Sequence, residues 1–293
     1  FLRMEDIYKE FPGVVANDHV DFSLRRGEIH GLLGENGAGK STLMKILYGL
    51  YSRDGGRILL DGESLTLDSP QDAIDAGIGM VHQHFMLIPR LTVTENVVLG
   101  EREPSAMFAG LGASGGVLPE RLRSRLPAGV YDNPGARALG RLTAGVLGAA
   151  GTRFSLGLEQ PRGRIRDLAD RYGFTIDVDS KIWELDVGQQ QRVEILKALY
   201  RDVDLLILDE PTAVLTPAEA ERLFESLERL TDEGIGIIFI THKLKEIEAI
   251  TDRVTVLREG ETVGTVETED VTRADLARMM VGREVLFQLD RDP

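Results

Sequence analysis

Apolar and polar residues alternate through "LRMEDIYKEF" (2–11), the period of a strand with one buried face. The period then changes within "GEIHGLLGENGAGKSTLMKILYGL" (27–50): an apolar run, a glycine-rich break, then apolar residues at helical spacing. That order predicts strand, loop and helix. Three short runs, "IGMV" (78–81), "DLLIL" (204–208) and "IGIIFI" (235–240), are mostly β-branched or aliphatic and predict strands buried on both faces of a parallel sheet. Helical spacing reappears at "RGRIRDLADRYGF" (162–174). The fold class is therefore α/β.

Residues 103–160 break this regularity. The segment holds 11 of the 32 glycines, four prolines, and six Arg against four acidic residues, with no Lys. It reads as an insertion of its own composition, a surface loop with one short helix near "ARALGRLTAGVLG" or a dedicated docking element. No internal repeat is present.

Composition narrows the class. A chain of 293 residues with 42% apolar content can bury a sizeable core as a soluble globule. The net charge of −14 argues against a general nucleic-acid or anionic-membrane binder, so any phosphate site must be local. Only seven of the 34 basic residues are Lys, the balance favoured by a salt-rich cytoplasm or by a GC-rich genome. Cysteine is absent, which excludes disulfides and thiolate metal sites. No apolar run approaches the ~18 residues of a membrane helix, and no signal-peptide pattern opens the chain, so the expected home is the cytoplasm. The start at Phe1, inside a strand pattern, reads as a trimmed N-terminus.

Candidate chemistry begins at Gly34. "GENGAGKST" (34–42) fits GxxxxGK[ST] in full. Backbone N–H groups of Gly34, Asn36, Gly37, Ala38 and Gly39 can wrap a phosphate, and the following helix adds its positive dipole end. Lys40 would reach the β and γ phosphates, Ser41 would supply a hydroxyl to Mg²⁺, and Thr42 would help hold the α phosphate. "DLLILDEPT" (204–212) is an apolar strand ending in two carboxylates. Asp209 would enter the Mg²⁺ shell and Glu210 would polarise an attacking water, although a solvated strand end gives the same dipeptide. Gln83 follows one predicted strand, as a sensor of metal and water would, and His242 ends another, where an imidazole can touch a γ phosphate. Phe11, 29 residues before Lys40, is placed either to stack on adenine or to fill the core. His82 and His84 lack the further ligands of a metal site. Trp183, the sole tryptophan, reads as core or subunit contact rather than as a base stacker.

The order of phosphate loop, Gln83, "LDVGQQQR", "LILDEPT" and His242 resembles the ATP-binding subunits of ABC transporters over nearly the whole chain. The resemblance implies a P-loop NTPase of ABC type: a mostly parallel sheet core with an antiparallel β region and a helical subdomain. It matches Phe11 to the adenine-stacking aromatic, Gln83 to the Q-loop glutamine, Leu185, Asp186, Val187, Gly188 and Gln189 to the LSGGQ signature, Glu210 to the catalytic base, and His242 to the switch histidine. Stretches such as "GIGMVHQHFMLIPRLTVTENVVLG" look closest to nucleoside and simple-sugar importers, where two ATPase halves are usually fused. Residues 1–283 would then be one ATPase domain, with a helical subdomain at about 96–200 and the start of a linker at 284–293. ATP and Mg²⁺ would be the ligands. A second ATPase domain, fused or separate and arranged head to tail, an integral-membrane permease and, indirectly, a substrate-binding protein would be the partners at the cytoplasmic face of the membrane, with no nucleic acid. The alternatives are a soluble ABC ATPase acting on ribosomes or DNA, for which coiled-coil arms and basic linkers are missing, and a non-hydrolysing regulatory module, against which Glu210 argues.

Two departures stand out. Asp186 occupies the position where the family's signature carries a serine that caps the helix and donates to the γ phosphate of the partner's ATP. An ionised Asp can cap but cannot donate. Thr216 in "EPTAVLTP" stands where the family's D-loop usually carries Asp. Both changes fall on elements that would face the partner's nucleotide, whereas Lys40, Ser41, Asp209, Glu210 and His242 all match. The expectation is an asymmetric machine, unless Val187 in place of a glycine turns Asp186 toward solvent.

Overall fold

In a computed structural model the described residues are 1–83, 85–99 and 158–282. The chain opens with β1 (Leu2–Phe11), β2 (Val14–Leu24) and β3 (Ile29–Leu33), followed by α1 (Lys40–Leu47), β4 (Gly55–Leu60), β5 (Glu63–Leu65), α2 (Pro70–Asp75), β6 (Ile78–Val81) and α3 (Val93–Val98). It resumes with α4 (Glu159–Arg171), a 3-10 turn (Ile182–Glu184), α5 (Val187–Leu199), β7 (Leu205–Asp209), α6 (Pro217–Asp232), β8 (Gly236–Thr241), α7 (Leu244–Ile250), β9 (Arg253–Arg258), β10 (Glu261–Glu267) and α8 (Arg273–Val281). The predicted strands at 2–11, 78–81, 204–208 and 235–240 thus form, the last two shifted by one residue. Most of the 103–160 insertion and the 284–293 linker lie outside the described residues.

Two sheets divide the work. The six-stranded sheet has the order β10-β9-β3-β8-β7-β6. Neighbours from β9 to β6 are parallel, and β10 returns antiparallel to β9. All residues of β3, β6 and β8 are buried, as strands covered on both faces require. The second sheet, β2-β1-β4-β5, is antiparallel. Its β1 buries Leu2 and Met4 and leaves Arg3 exposed, the alternation read from the sequence; a register shift at the left-handed Asp6 then brings Ile7 to the buried side.

Helix α1 lies in one core between the sheets. Leu43, Met44, Ile46 and Leu47 share that core with Leu2, Met4 and Ile7 of β1, Ile207 of β7, and Ile238 and Ile240 of β8. Each such side chain contributes about 1.5–3 kcal/mol of burial, so the helix behind the glycine loop is anchored from both sides. The opposite face of the large sheet is covered by α3, α4, α5 and α6 through Val93, Ile165, Val193 and Leu223. The described part of the 96–200 region is helical, with Thr92 and Asp186 as capping-box residues at the starts of α3 and α5.

His30 of β3 has no exposed surface and contacts Thr255 Oγ1 through Nε2 at 2.8 Å. Burial first, then the Arg253 charge, lowers its pKa to about 3 from 6.5, with Arg25 adding to the same effect. The ring is therefore neutral, and its 3.6 Å approach to Glu28 is not an ion pair. Between pH 3 and 6.5 the unfolded chain takes up a proton that the folded chain refuses, so this group's contribution to stability falls as pH drops through that window. His30→Gln should flatten the slope of unfolding free energy against pH there by up to ~1.4 kcal/mol per unit. Denaturant titrations at a series of pH values check this, and parallel slopes for the two proteins would contradict it.

Candidate functional site

The four strands β3, β6, β7 and β8 deliver their carboxyl ends to one edge, where ligands of open α/β sheets bind. From β3 the chain enters the loop Gly34–Gly39. A Cβ on Gly34 would meet the Leu257 carbonyl oxygen at 2.4 Å. At Gly39, whose φ is +96°, it would meet the Ala16 oxygen at 2.4 Å and Asn17 Nδ2 at 2.7 Å. Only glycine fits either place. The loop is clamped from outside: the Gly260 N–H in the β9–β10 turn donates to the Ala38 carbonyl at 3.3 Å, and Asn17 Nδ2 donates to the Gly39 carbonyl at 3.3 Å.

Lys40, the first residue of α1, is only 6% exposed. Its ammonium folds back to donate to the carbonyls of Gly34 at 2.7 Å and Glu35 at 2.9 Å. Burial lowers its pKa, opposed by the charges of Glu210, Asp209 and Glu35. Asp209, the last residue of β7, is raised by burial and by Glu210 beside it, against the lowering effect of His82, Lys40 and Lys45. A buried cation without a direct anionic partner thus faces two adjacent carboxylates.

Glu210 carries φ of 48°, a left-handed conformation that costs a non-glycine residue about 1–2 kcal/mol. Both of its oxygens are engaged. Gln83 Nε2 donates to Oε2 at 3.2 Å, and His242 Nδ1 donates to Oε1 at 2.8 Å. The residues read from the sequence as a glutamine sensor, a base and a terminal histidine therefore form one hydrogen-bonded group.

An open cleft of about 520 Å³ joins these parts, lined by Phe11, Asn36 to Thr42, Gln83, Asp209 and Glu210, with Val14, Val15 and Ala16 along one wall. Phe11 sits at its margin, held edge-on by Tyr51 with ring centroids 5.4 Å apart and overlain by Lys9 at 5.3 Å. It is not a core residue. Nor is Trp183, which is 53% exposed, with Lys181 over its ring and its Nε1 donating to Glu184; the core alternative for this residue is corrected. Trp183 lies in the turn Ile182–Glu184, just ahead of α5. His82 packs edge-on against Tyr48, and His84 lies outside the described residues. Among the described residues no cluster of three or more His, Cys, Asp or Glu is placed to hold a metal.

Leu185 to Gln189 do not line this cleft. Leu185 is buried, whereas Asp186 is exposed at the N-cap of α5. Asp186 Oδ1 accepts from the Gln189 N–H at 2.7 Å, and Gln189 Oε1 accepts from the Asp186 N–H at 3.0 Å. Thr216 caps α6 in the same manner with Glu219. Glu219 also closes on Gly188, where a Cβ would lie 2.9 Å from Oε1, so the starts of the two helices pack together. Asn17, Gly260 and Tyr51 were not singled out from sequence. Asn17 gave no periodic signal: alternation counted back from Leu24, Phe22 and Val20 puts Asp18 on the buried side, and the left-handed His19 shifts the phase so that Asn17 is buried instead; the other two act through tertiary contacts only.

Comparison with known proteins identifies the class. A family described as "ABC transporter" matches residues 17–213. The chain belongs to the ABC transporter family. It is 71% identical over 292 residues to the glucose import ATP-binding protein TsgD13 of Haloferax volcanii, with 100% of this chain and 50% of that protein covered. It is 44% identical over 286 residues to the nucleoside import ATP-binding protein NupA of Lactococcus lactis, covering 98% and 47%. The chain thus spans about half the length of the curated relatives it matches. A solved nucleotide-free ATP-binding cassette from an ABC transporter superposes with a TM-score of 0.71 at 23% identity, covering 100% of this chain and 99% of that one. A dimeric cassette in a post-hydrolysis state with ADP and Pi gives 0.59 at 23% identity, covering 92% and 99%. At these identities the structures speak to the fold.

Lys40→Ala removes the buried cation from the cleft. Equilibrium titration with a fluorescent ATP analogue should show affinity reduced about 10-fold or more. Affinity equal to wild type would contradict the placement of the phosphates in this loop.

Proposed function

We propose that this chain is an ATP-binding and hydrolysing domain that energises an importer for simple sugars or nucleosides. The observation that carries the hydrolytic reading is the Gln83–Glu210–His242 group at the mouth of the phosphate cleft. The chemistry follows from the residues. The loop N–H groups and Lys40 hold the triphosphate, and Glu210 takes the proton of the attacking water. His242 and Gln83 exchange their contacts with Glu210 for contacts to the γ phosphate and the water. The donor set of Ser41 hydroxyl, Gln83 amide and Asp209 carboxylate is all oxygen, and the crowded carboxylate pair favours a hard cation, so these residues fit Mg²⁺. When bound, Mg²⁺ would neutralise phosphate charge and polarise the phosphoryl oxygens.

Residues 1–283 are read as one domain, with the helical part at about 96–200. The partners proposed are a second ATPase domain, fused or separate, and a membrane permease supplied by a substrate-binding protein. No helix among the described residues is long and apolar enough to cross a membrane, so the chain would act from the cytoplasmic face through the permease. The position of Leu185 to Gln189 away from this chain's own cleft supports their service to a partner's nucleotide in a head-to-tail dimer. For cargo, the 71% identity to a protein named for glucose import favours a simple sugar over the nucleoside named at 44%. Uptake of labelled glucose and of labelled guanosine, measured with the matching permease and binding protein, tests this choice.

Asp186 makes the two nucleotide sites unequal. Its cap contributes ~1 kcal/mol, while a carboxylate about 4 Å from a unit of phosphate charge is repelled by ~4 kcal/mol at an effective dielectric near 20. Repulsion dominates, so the site on this chain's phosphate loop hydrolyses and the site completed by its signature binds more loosely. Asp186→Ser and Asp186→Asn should both tighten ATP-driven closure of the two domains, read as a shift of the closing midpoint to lower ATP. Unchanged closure in both, with Asp186→Ala lowering only thermal stability, would show Asp186 to be a helix cap facing away from nucleotide.

Glu210→Gln keeps side-chain volume and removes the base. ATP binding should persist while steady-state phosphate release in the assembled transporter is lost. Native turnover in this variant would place the base elsewhere.

A further inference from the structure

Behind Glu210 and His242 lies a polar cluster that the roles above leave unused. Its centre is Glu246 on α7, a carboxylate only 12% exposed. Oε1 accepts from Thr212 Oγ1 at 2.5 Å and from Lys243 Nζ at 2.9 Å, and Oε2 accepts from Thr241 Oγ1 at 2.8 Å. Lys243 reinforces the cluster: its Nζ donates to the Thr212 carbonyl at 3.3 Å and its backbone N–H to Thr241 Oγ1 at 3.0 Å. Thr212 and Thr241 are 3% and 1% exposed, so neither hydroxyl has ready access to water as a substitute.

The positions matter because of where the sheet ends. Pairing between β7 and β8 runs out at Asp209↔Ile240, followed by one bond from the Glu210 N–H to the Ile240 carbonyl at 3.0 Å. Beyond it no backbone ladder joins these two segments to each other, although Thr241 still pairs with Leu33 of β3 on its other side. Glu210 and His242 stand just past the ends of their strands, and Glu210 is in a left-handed conformation that local structure does not favour. Thr212 is two residues past Glu210, while Thr241 and Lys243 flank His242. One buried carboxylate therefore grips both segments immediately beside the groups that meet at 2.8 Å.

We infer that Glu246 is a positioning residue for hydrolysis: through Thr212, Thr241 and Lys243 it fixes the spacing of Glu210 and His242. This rests on the hydrolytic reading of Glu210 given above. The carboxylate is suited to the task because each oxygen accepts and neither donates, which matches two hydroxyls and an ammonium. A glutamine satisfies only one side, since its NH₂ cannot accept from either hydroxyl or from Lys243. Groups displaced by about 1 Å in an active site lose on the order of 10²-fold in rate, while nucleotide affinity, set by the phosphate loop, is untouched.

The test uses the full polypeptide assembled with its permease. Glu246→Ala and Thr212→Val should lower kcat about 10-fold or more with KM for ATP near wild type, the pattern of an interaction made in the transition state. Glu246→Gln should fall between Glu246→Ala and wild type. Thr212→Ser, which restores the hydroxyl, should recover most of the rate lost in Thr212→Val. Hydrogen exchange supplies a readout independent of turnover: the amides of residues 241–243 should exchange faster in Thr212→Val than in wild type, with those of β3 unchanged. Glu210→Gln serves as the control for the underlying reading. If it still hydrolyses, that reading fails by itself. If it is inactive while Thr212→Val and Glu246→Ala keep the wild-type kcat, the positioning role is overturned and the base assignment stands. A Thr212→Ser variant as slow as Thr212→Val overturns it too, because packing rather than the hydroxyl would then be responsible. Should Glu246→Ala fail to fold, the two Thr212 variants decide the matter.

Discussion

A lysine ammonium buried without a direct anionic partner is the constraint on which this structure turns. Lys40 is satisfied only by two carbonyl oxygens of its own loop, and it faces Asp209 and Glu210 across the cleft. Burial, and then the like charge of Glu210, raise Asp209, and burial pulls the Lys40 pKa down. Such an arrangement is incomplete alone. On the proposed function, a triphosphate with a divalent cation would supply what each side lacks: an anion for the lysine and loop amides, and a cation for the carboxylates.

Holding that geometry requires both sheets. The parallel sheet presents the carboxyl ends of β3, β6, β7 and β8 side by side, which brings the loop, Gln83, Asp209 and His242 within reach of one another although they are distant in sequence. The antiparallel sheet supplies Phe11 and, through Ala16 and Asn17, the surface against which Gly39 is pressed. Helix α1 is packed between them, so movement of the loop would disturb a core that includes β1, β7 and β8. Beyond the strand ends the backbone gives Glu210 one bond to the Ile240 carbonyl, and the side-chain tethers of Glu246 add to it.

Legibility followed locality. The phosphate loop, the carboxylate pair and the buried strands could be read because each is a contiguous pattern whose physical purpose is carried by neighbouring residues. Phe11 could be placed only as one of two alternatives, because whether an aromatic at a strand end faces a cleft or a core depends on neighbours such as Tyr51, which arrives from elsewhere in the chain. Of the two readings of Trp183, core or subunit contact, exposure in the turn ahead of α5 removes the first: hydrophobicity favours burial, but the turn leaves the indole at the surface. The clamps at Asn17 and Gly260, and the Glu246 cluster, join residues separated by up to hundreds of positions and leave no periodic trace. The antiparallel strands β4, β5 and β10 were legible only as a region implied by resemblance.

The central claim is that this chain's own phosphate loop and strand ends form a complete hydrolytic site. The most direct measurement is an experimental structure of the full polypeptide with ATP and Mg²⁺, in the Glu210→Gln background to hold the substrate. The account predicts the triphosphate wrapped by residues 34–42 with Lys40 on its terminal phosphates, the base against Phe11, the metal at Ser41 and Asp209, and His242 turned from residue 210 to the γ phosphate. A triphosphate bound outside this loop, or residue 210 and His242 both remote from the γ phosphate in the closed state, would contradict it.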